Sequence, residues 1–307
     1  MKIQIISPAA LLALLAVLAP GVAQGEQLFR WQLESGQQLA VRSTQSTQVQ
    51  RVVQGNALKM SLETAIDMQW KVDSVDNDGV ASITQTIRRI VLRMNTPEAG
   101  AAAYDTASPD QAEGAADQLA AVSALIGASL QVTMTPRGEL TTVKLSPQAS
   151  EAVQRAARAG KLKSLLSAES LAQLLRQSLI VLPEQAVNSG DSWTADAQVA
   201  SPVGRLQQSN KYTYMGETTV DEMAYDLIEV ASTVELRDPP AGGENVPSSG
   251  LKVTSQEQTG KLLFDSTAGR FARVEIQQKL TSEKTYRDVV IEMESVAQLV
   301  TTFALEP

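Results

Sequence analysis

From Leu58 to Val72 the chain alternates with period two over 15 positions. Leu58, Met60, Leu62, Thr64, Ile66, Met68, Trp70 and Val72 point one way, and seven of these eight are apolar. Lys59, Glu63, Asp67, Gln69 and Lys71 point the other way. Such alternation is the mark of a half-buried strand with one dry and one wet face, in an antiparallel sheet. At ~3.3 Å per residue the strand is about 50 Å long, where ordinary strands have about five or six residues. A sheet built on strands of that length must twist and curve.

The neighbouring segments extend the pattern. Asp76-Asn77-Asp78-Gly79 is a hairpin turn. The return strand, Val80 to Met94, carries Ala81, Ile83 and Ile87, then Ile90, Leu92 and Met94. Its parity changes at Arg88-Arg89, which predicts a bulge or bend there. Upstream, Leu28–Leu33 and Gln38–Val53 are expected strands, the second unusually polar through its Ser/Thr/Gln run from Ser43 to Gln50. Residues 95–113, rich in small and polar types, are expected to be a loop.

The middle of the chain changes character. Helices are expected over 115–126, 147–159 and 168–180, the last with Leu171, Leu174, Leu175 and Ile180 on one face and Pro183 beyond it. Between the first two lies a short hairpin, Ser129–Thr135 and Glu139–Leu145, turning at Pro136-Arg137-Gly138. Strands resume at about 192–199, 204–215, 223–236, 251–264, 271–282 and 287–303, with a Pro/Gly/Ser loop at Asp238–Gly250 and a tight turn at Asp265–Gly269. The two short hairpins share a layout of alternating strand, turn and return. This allows a single β-rich domain, 24–307, or two similar lobes, 26–145 and 190–305, joined by helices over 147–180. The expected fold is mainly β (α+β): a long, curved antiparallel sheet or half-barrel with a central helical insert over about 115–180. A β-sandwich competes, but the strands are too long and the insert too large for it.

Residues 1–23 read as a signal peptide: Lys2, an apolar stretch from Ile3 to Leu18, then Pro20 and the small residues Gly21-Val22-Ala23. A cut after Gly25 is the second option, and retention as an anchor is the alternative, although the stretch is short of the roughly 20 residues a span needs. No cysteine follows, so lipid anchoring is not expected, and the protein is placed in the periplasm or outside the cell. The net charge of −8 disfavours nucleic acid, whose phosphates an acidic chain repels.

The chain has no His and no Cys, which removes triads, thiol nucleophiles and His- or Cys-ligated metals. Gly190-Asp191-Ser192-Trp193 resembles the nucleophile block of one serine esterase class, but no His can deprotonate the Ser. A turn that starts a strand explains it better. Ser249-Gly250-Leu251-Lys252 has S-x-x-K spacing, yet it spans a loop and a strand start. Asp73, Asp76 and Asp78 fall short of a calcium loop, since Ser74 and Gln85 stand where ligands would be needed. No cofactor or metal is expected. Met60, Ile66, Met68 and Trp70 are the candidate apolar lining of a ligand site, and Arg88 and Arg89 candidate contacts for an anionic head group. A solvated face is the simpler account of the arginines.

Several motifs in order resemble a family of exported bacterial proteins of unknown function. They are Gly36-Gln37-Gln38-Leu39, the Gln/Thr-rich strand, the hairpin leading to Arg88-Arg89, Tyr104-Asp105, Val132–Gly138, and Leu182-Pro183 with Gly190–Trp193. The resemblance brings no catalytic residue. In architecture the chain is also similar to periplasmic lipoprotein-carrier half-barrels, a likeness that does not fix function. Together these features imply a non-enzymatic envelope protein that binds a lipid or other hydrophobic ligand. The alternatives are a structural or interaction protein with a fully packed core, and a hydrolase built on two carboxylates.

Overall fold

The computed structural model describes residues 25–97, 100–111, 123, 125–151, 180–201, 204–237, 251–286 and 289–306. They form one large open antiparallel sheet of twelve strands. In chain order these are β1 (Gln38–Val53), β2 (Asn56–Val75), β3 (Ala81–Thr96), β4 (Gly100–Asp105), β5 (Ser129–Met134) and β6 (Leu140–Leu145), then β7 (Ser192–Ser201), β8 (Gly204–Val220), β9 (Met223–Arg237), β10 (Leu251–Asp265), β11 (Arg270–Tyr286) and β12 (Val289–Leu305). The spatial order is β6-β5-β3-β2-β1-β12-β11-β10-β9-β8-β7, with β4 also on β3. Two meanders thus meet at the pairing of β1 with β12, from Leu39 opposite Leu305 to Val53 opposite Ile291.

The 20-residue β2 would run about 66 Å if straight. Bulges bend these strands. Six register shifts interrupt the ladders, two of them between β2 and β3. One falls where the parity change predicts it: Asp67 pairs with Arg89 and Met68 with Ile87, which leaves Arg88 as the extra residue. This bulge also divides the free edge of β3. Residues 81–86 pair with β5 and residues 91–96 with β4. The backbone between them is satisfied locally, by Gly127 N–H donating to the Ile87 carbonyl at 2.9 Å and Thr106 N–H donating to that of Ile90 at 3.0 Å.

Two expectations are corrected. The loop over 95–113 contains β4 and a 3-10 turn at Pro109–Gln111. Its Gly-Ala-Ala-Ala run lacks the bulky residues that advertise a strand, yet Ala102 and Tyr104 are buried. The segment Leu28–Leu33 is extended but joins no ladder. It crosses the concave side of the sheet, tied by a single bridge between Gln27 and Val187. Farther along, Trp31 N–H donates to the Pro136 carbonyl at 2.7 Å and Gln32 N–H to that of Gly269 at 2.8 Å. Its backbone is therefore paired with turns, while Phe29 and Trp31 fill the core.

The central helical insert lies mostly outside the described residues. Residues 147–151 are helical, with Ala149 buried. Ile180, expected to end a helix, already lies in irregular chain. From there the chain runs beside the β5–β6 turn: Leu182 N–H donates to the Arg137 carbonyl at 2.9 Å, and Leu182 is fully buried. No helix among the described residues is long and apolar enough to cross a membrane.

The aromatic residues are concentrated at one end of the concave side. The chain has 3 Trp, 5 Tyr and 4 Phe. Seven of these, Tyr214, Phe29, Phe264, Phe271, Trp31, Trp70 and Phe303, form one continuous run of ring contacts. Most meet edge to face, the arrangement the ring quadrupoles favour. A buried polar clamp holds the crossing segment against this cluster. Tyr214 OH donates to Asp226 Oδ1 at 2.5 Å, Ser266 OH donates to the other carboxylate oxygen, and the Gln27 amide donates to Ser266 Oγ at 2.9 Å. Burial first, and then the Asp226 hydrogen bond, push the Tyr214 phenol well above its ordinary value.

Candidate functional site

Above the aromatic floor the concave face borders a half-open cavity of about 480 Å³, lined from nine of the twelve strands and by Trp31 and Ile180. The strand registers build it in rungs, because residues paired across an antiparallel ladder share a face. One rung is apolar: Leu299, Ile276, Gly260, Val230 and Tyr212 stand side by side on β12, β11, β10, β9 and β8. The next rung is neutral and polar: Ala297, Gln278, Gln258, Ser232 and Asn210.

The polar rung is largely satisfied within itself. The Gln258 amide donates to Ser232 Oγ at 3.2 Å, and Ser232 OH and the Gln208 amide both donate to Asn210 Oδ1, at 2.5 and 2.9 Å. On the opposite wall, Thr301 OH donates to Ser43 Oγ at 3.2 Å. Two groups differ. The indole N–H of Trp70 is buried without a hydrogen-bond partner. Directly opposite it on β3 stands Gln85, only 4% exposed, whose side-chain amide has no partner among the described residues. Leaving a buried donor unpaired costs about 1–3 kcal/mol. None of the described residues lining the cavity is Asp, Glu, Lys or Arg.

The residues singled out from the sequence separate into three places. Met68 and Trp70 line the cavity. Ile66 lies one step along the same face of β2, opposite Ser43 and Ile90. Met60, 37% exposed, lies farther along β2 beside Val49, where the sheet extends past its core. Neither Arg88 nor Arg89 lines the cavity. Arg88 occupies the bulge, is exposed, and donates to the Gln69 side-chain oxygen. Arg89 shares the face of Asp67, opposite to that of Met68, and clamps Asp105 with two hydrogen bonds of 2.9 and 2.5 Å. The Arg89 hydrogen bond holds the Asp105 carboxyl down at about 2. An ion-pair row, Arg42–Asp67 beside Arg89–Asp105, therefore crosses the outer face, and both arginines belong to it rather than to the cavity. The bulge that the sequence revealed is what turns Arg88 outward.

Sequence reasoning missed the other half of the site. Trp31, Phe271 and Phe303 each sit in a segment read only as a strand, and no local signal shows that three distant segments bring them to one floor. A usable clue was the polarity of the strand from Ser43 to Gln50: Ser43 and Gln45 are cavity residues. The esterase-like block is a turn. Asn188 N–H donates to Asp191 Oδ2 at 2.8 Å, the Ser192 hydroxyl meets that of Thr213 at 2.9 Å, and Trp193 stacks on Tyr212 with ring centres 5.4 Å apart. Burial pushes the Tyr212 phenol up to about 12. Ser249 and Gly250 lie outside the described residues. Asp76 Oδ1 accepts the backbone N–H groups of Asp78 and Val80 at 3.0 and 2.9 Å, so it organises the hairpin turn. No cluster of metal-ligating residues occurs among the described residues.

No curated protein matches the chain in sequence. Among solved structures, it is similar to the lipovitellin of a study of lipid–protein interactions, at 11% identity and a TM-score of 0.46, covering 90% of this chain but 26% of that one. It therefore spans about a quarter of that protein's length. An outer membrane channel from Pseudomonas putida F1 is similar at 9% identity and a TM-score of 0.24, with 93% and 99% of the two chains covered. A DUF1329 family protein from Desulfovibrio piger is similar at 11% identity and a TM-score of 0.16, with 86% and 83% covered. Scores this low carry no argument about activity. The sequence itself is more informative: residues 78–270, from the first hairpin through the turn after β10, match one family along their length. The chain belongs to that family, which is described as a family of unknown function (DUF6263).

Proposed function

We propose that this protein is an exported, non-enzymatic binding protein that shelters a lipid or other small apolar molecule on the concave side of its sheet. The observation that carries this reading is the cavity of about 480 Å³ with an aromatic floor and no Asp, Glu, Lys or Arg among the described residues of its lining. Its volume falls in the ~300–1,000 Å³ range of small-molecule sites. Export rests on the n-h-c layout of residues 1–23.

The test is twofold. Native mass spectrometry of protein purified from its own envelope should reveal a co-purifying apolar molecule. Titration with the uncharged fluorophore N-phenyl-1-naphthylamine should give saturable, one-to-one enhancement. Absence of any bound molecule together with non-saturable fluorescence would sink the reading.

A further inference from the structure

The charge-free lining and the paired orphan groups, taken together, restrict what the cavity can hold. We infer that its ligand is an uncharged lipid carrying a carbonyl acceptor, such as an ester or ketone, which is received by the Trp70 indole N–H and the Gln85 amide while the hydrocarbon lies on the aromatic floor. This rests on the binding reading above and deepens it.

Three observations lead there. First, a carboxylate, phosphate or ammonium inside the cavity would meet no counter-charge from the described residues, since no Lys, Arg, Asp or Glu among them lines it. An ion taken from water into such a place is heavily penalised. Arg88 and Arg89 project from the other face, and Arg89 is already bonded to Asp105. Second, most polar groups of the far wall, those of Gln208, Asn210, Ser232 and Gln258, are bonded to one another, with Asn210 Oδ1 accepting twice. They form a neutral band that tolerates a lipid without demanding a partner. Third, Trp70 and Gln85 face each other across β2 and β3: the Trp70 indole N–H is buried without a partner, and Gln85, 4% exposed, lines the cavity with no side-chain hydrogen bond among the described residues. A carbonyl oxygen accepts two hydrogen bonds, and the Trp70 N–H and the Gln85 NH₂ are two donors. An alkane would leave both unsatisfied.

The experiment is displacement of N-phenyl-1-naphthylamine by three ligands of equal chain length: methyl laurate, laurate and dodecane, all below their aggregation limits. At pH 8 methyl laurate should displace the probe at a concentration at least about a hundredfold lower than laurate, reflecting the unpaired buried charge. Laurate should gain affinity as the pH falls through its carboxyl pKa. Trp70→Phe and Gln85→Leu should each weaken methyl laurate about three- to tenfold, the worth of one hydrogen bond, and leave dodecane within about twofold. The dodecane arm separates a lost polar contact from a damaged fold, and the two variants check each other. If the probe binds but laurate competes as well as its ester, or if the variants weaken ester and alkane alike or neither, this inference is overturned and the binding reading stands. If the probe itself does not bind, both fall.

Discussion

Replacing Gly260 with alanine puts a methyl group against Ile276 and Val230, two residues of the cavity wall. An ideal Cβ there lies 2.5 Å from the Glu275 carbonyl oxygen, 2.5 Å from Ile276 Cδ1 and 2.9 Å from Val230 Cγ1. The two side-chain contacts can be relieved by rotation. The carbonyl belongs to the β10–β11 ladder, where Gly260 pairs with Ile276 and Lys261 with Glu275, so it moves only if the strands shift. Forcing an extra carbon into such packing costs about 1–3 kcal/mol. Alanine also restricts the unfolded chain, which returns about 0.4–1 kcal/mol. The clash wins, and the net loss is about 1–2 kcal/mol. Urea unfolding should show a lower midpoint at unchanged slope, since the surface exposed on unfolding barely alters. Because Ile276 must yield toward the cavity, affinity for N-phenyl-1-naphthylamine should fall in the same variant. A midpoint at or above that of the parent protein would refute the close approach of β10 and β11 on which the narrow apolar rung depends.

Other expectations follow from the same geometry. Tyr214→Phe removes a donor from the buried Asp226 carboxylate and should cost about 1–3 kcal/mol in urea, with Asp226→Asn partly restoring it in the double variant. Trp31→Ala strips the centre of the aromatic floor and should cost about 3–5 kcal/mol, with loss of near-ultraviolet circular dichroism. The Asp105 carboxyl sits at about 2, below its ordinary 3.8, so it contributes stability above pH 3.8 that is lost as the pH falls toward 2. Asp105→Asn should flatten that acid limb; the change is small because the pair is largely solvated. An unchanged pH profile would remove the Arg89 clamp from the account.

How much of this could be read from the sequence depended on which physical signal each part emits. Side-chain period gives the direction in which residues point, and it located β2, the Asp76–Gly79 turn and the bulge at Arg88. It does not give backbone partners. Phe29, Trp31 and Leu33 alternate as in a strand, yet the segment bonds to the turns at Pro136 and Gly269, which are far away in sequence. Strand β4 emitted almost no signal because its residues are small and its partner, the outer half of β3, supplies the order. The cavity was legible only on the β2 side, at Met68 and Trp70. Its amide band arises from rungs of single residues on β8 to β12, and each Gln or Asn taken alone looks like an ordinary exposed polar residue. Of the alternating face itself, only the half from Ile66 to Val72 meets the core, since period says nothing about where along a strand the cover ends.

The pairing of β1 with β12 has a consequence in time rather than in space. Thr44 and Val300, neighbours in the sheet, are 256 residues apart in the chain. Closing so long a loop is entropically costly, and contacts this distant form slowly. Neither meander can complete its sheet alone: until β12 arrives, β1 and β11 each present an open edge to any passing strand. The chain must therefore be almost wholly available before its fold can be finished. Under the export proposed above, such lateness is an asset, because the strand that joins the two meanders is also the one that commits the rest.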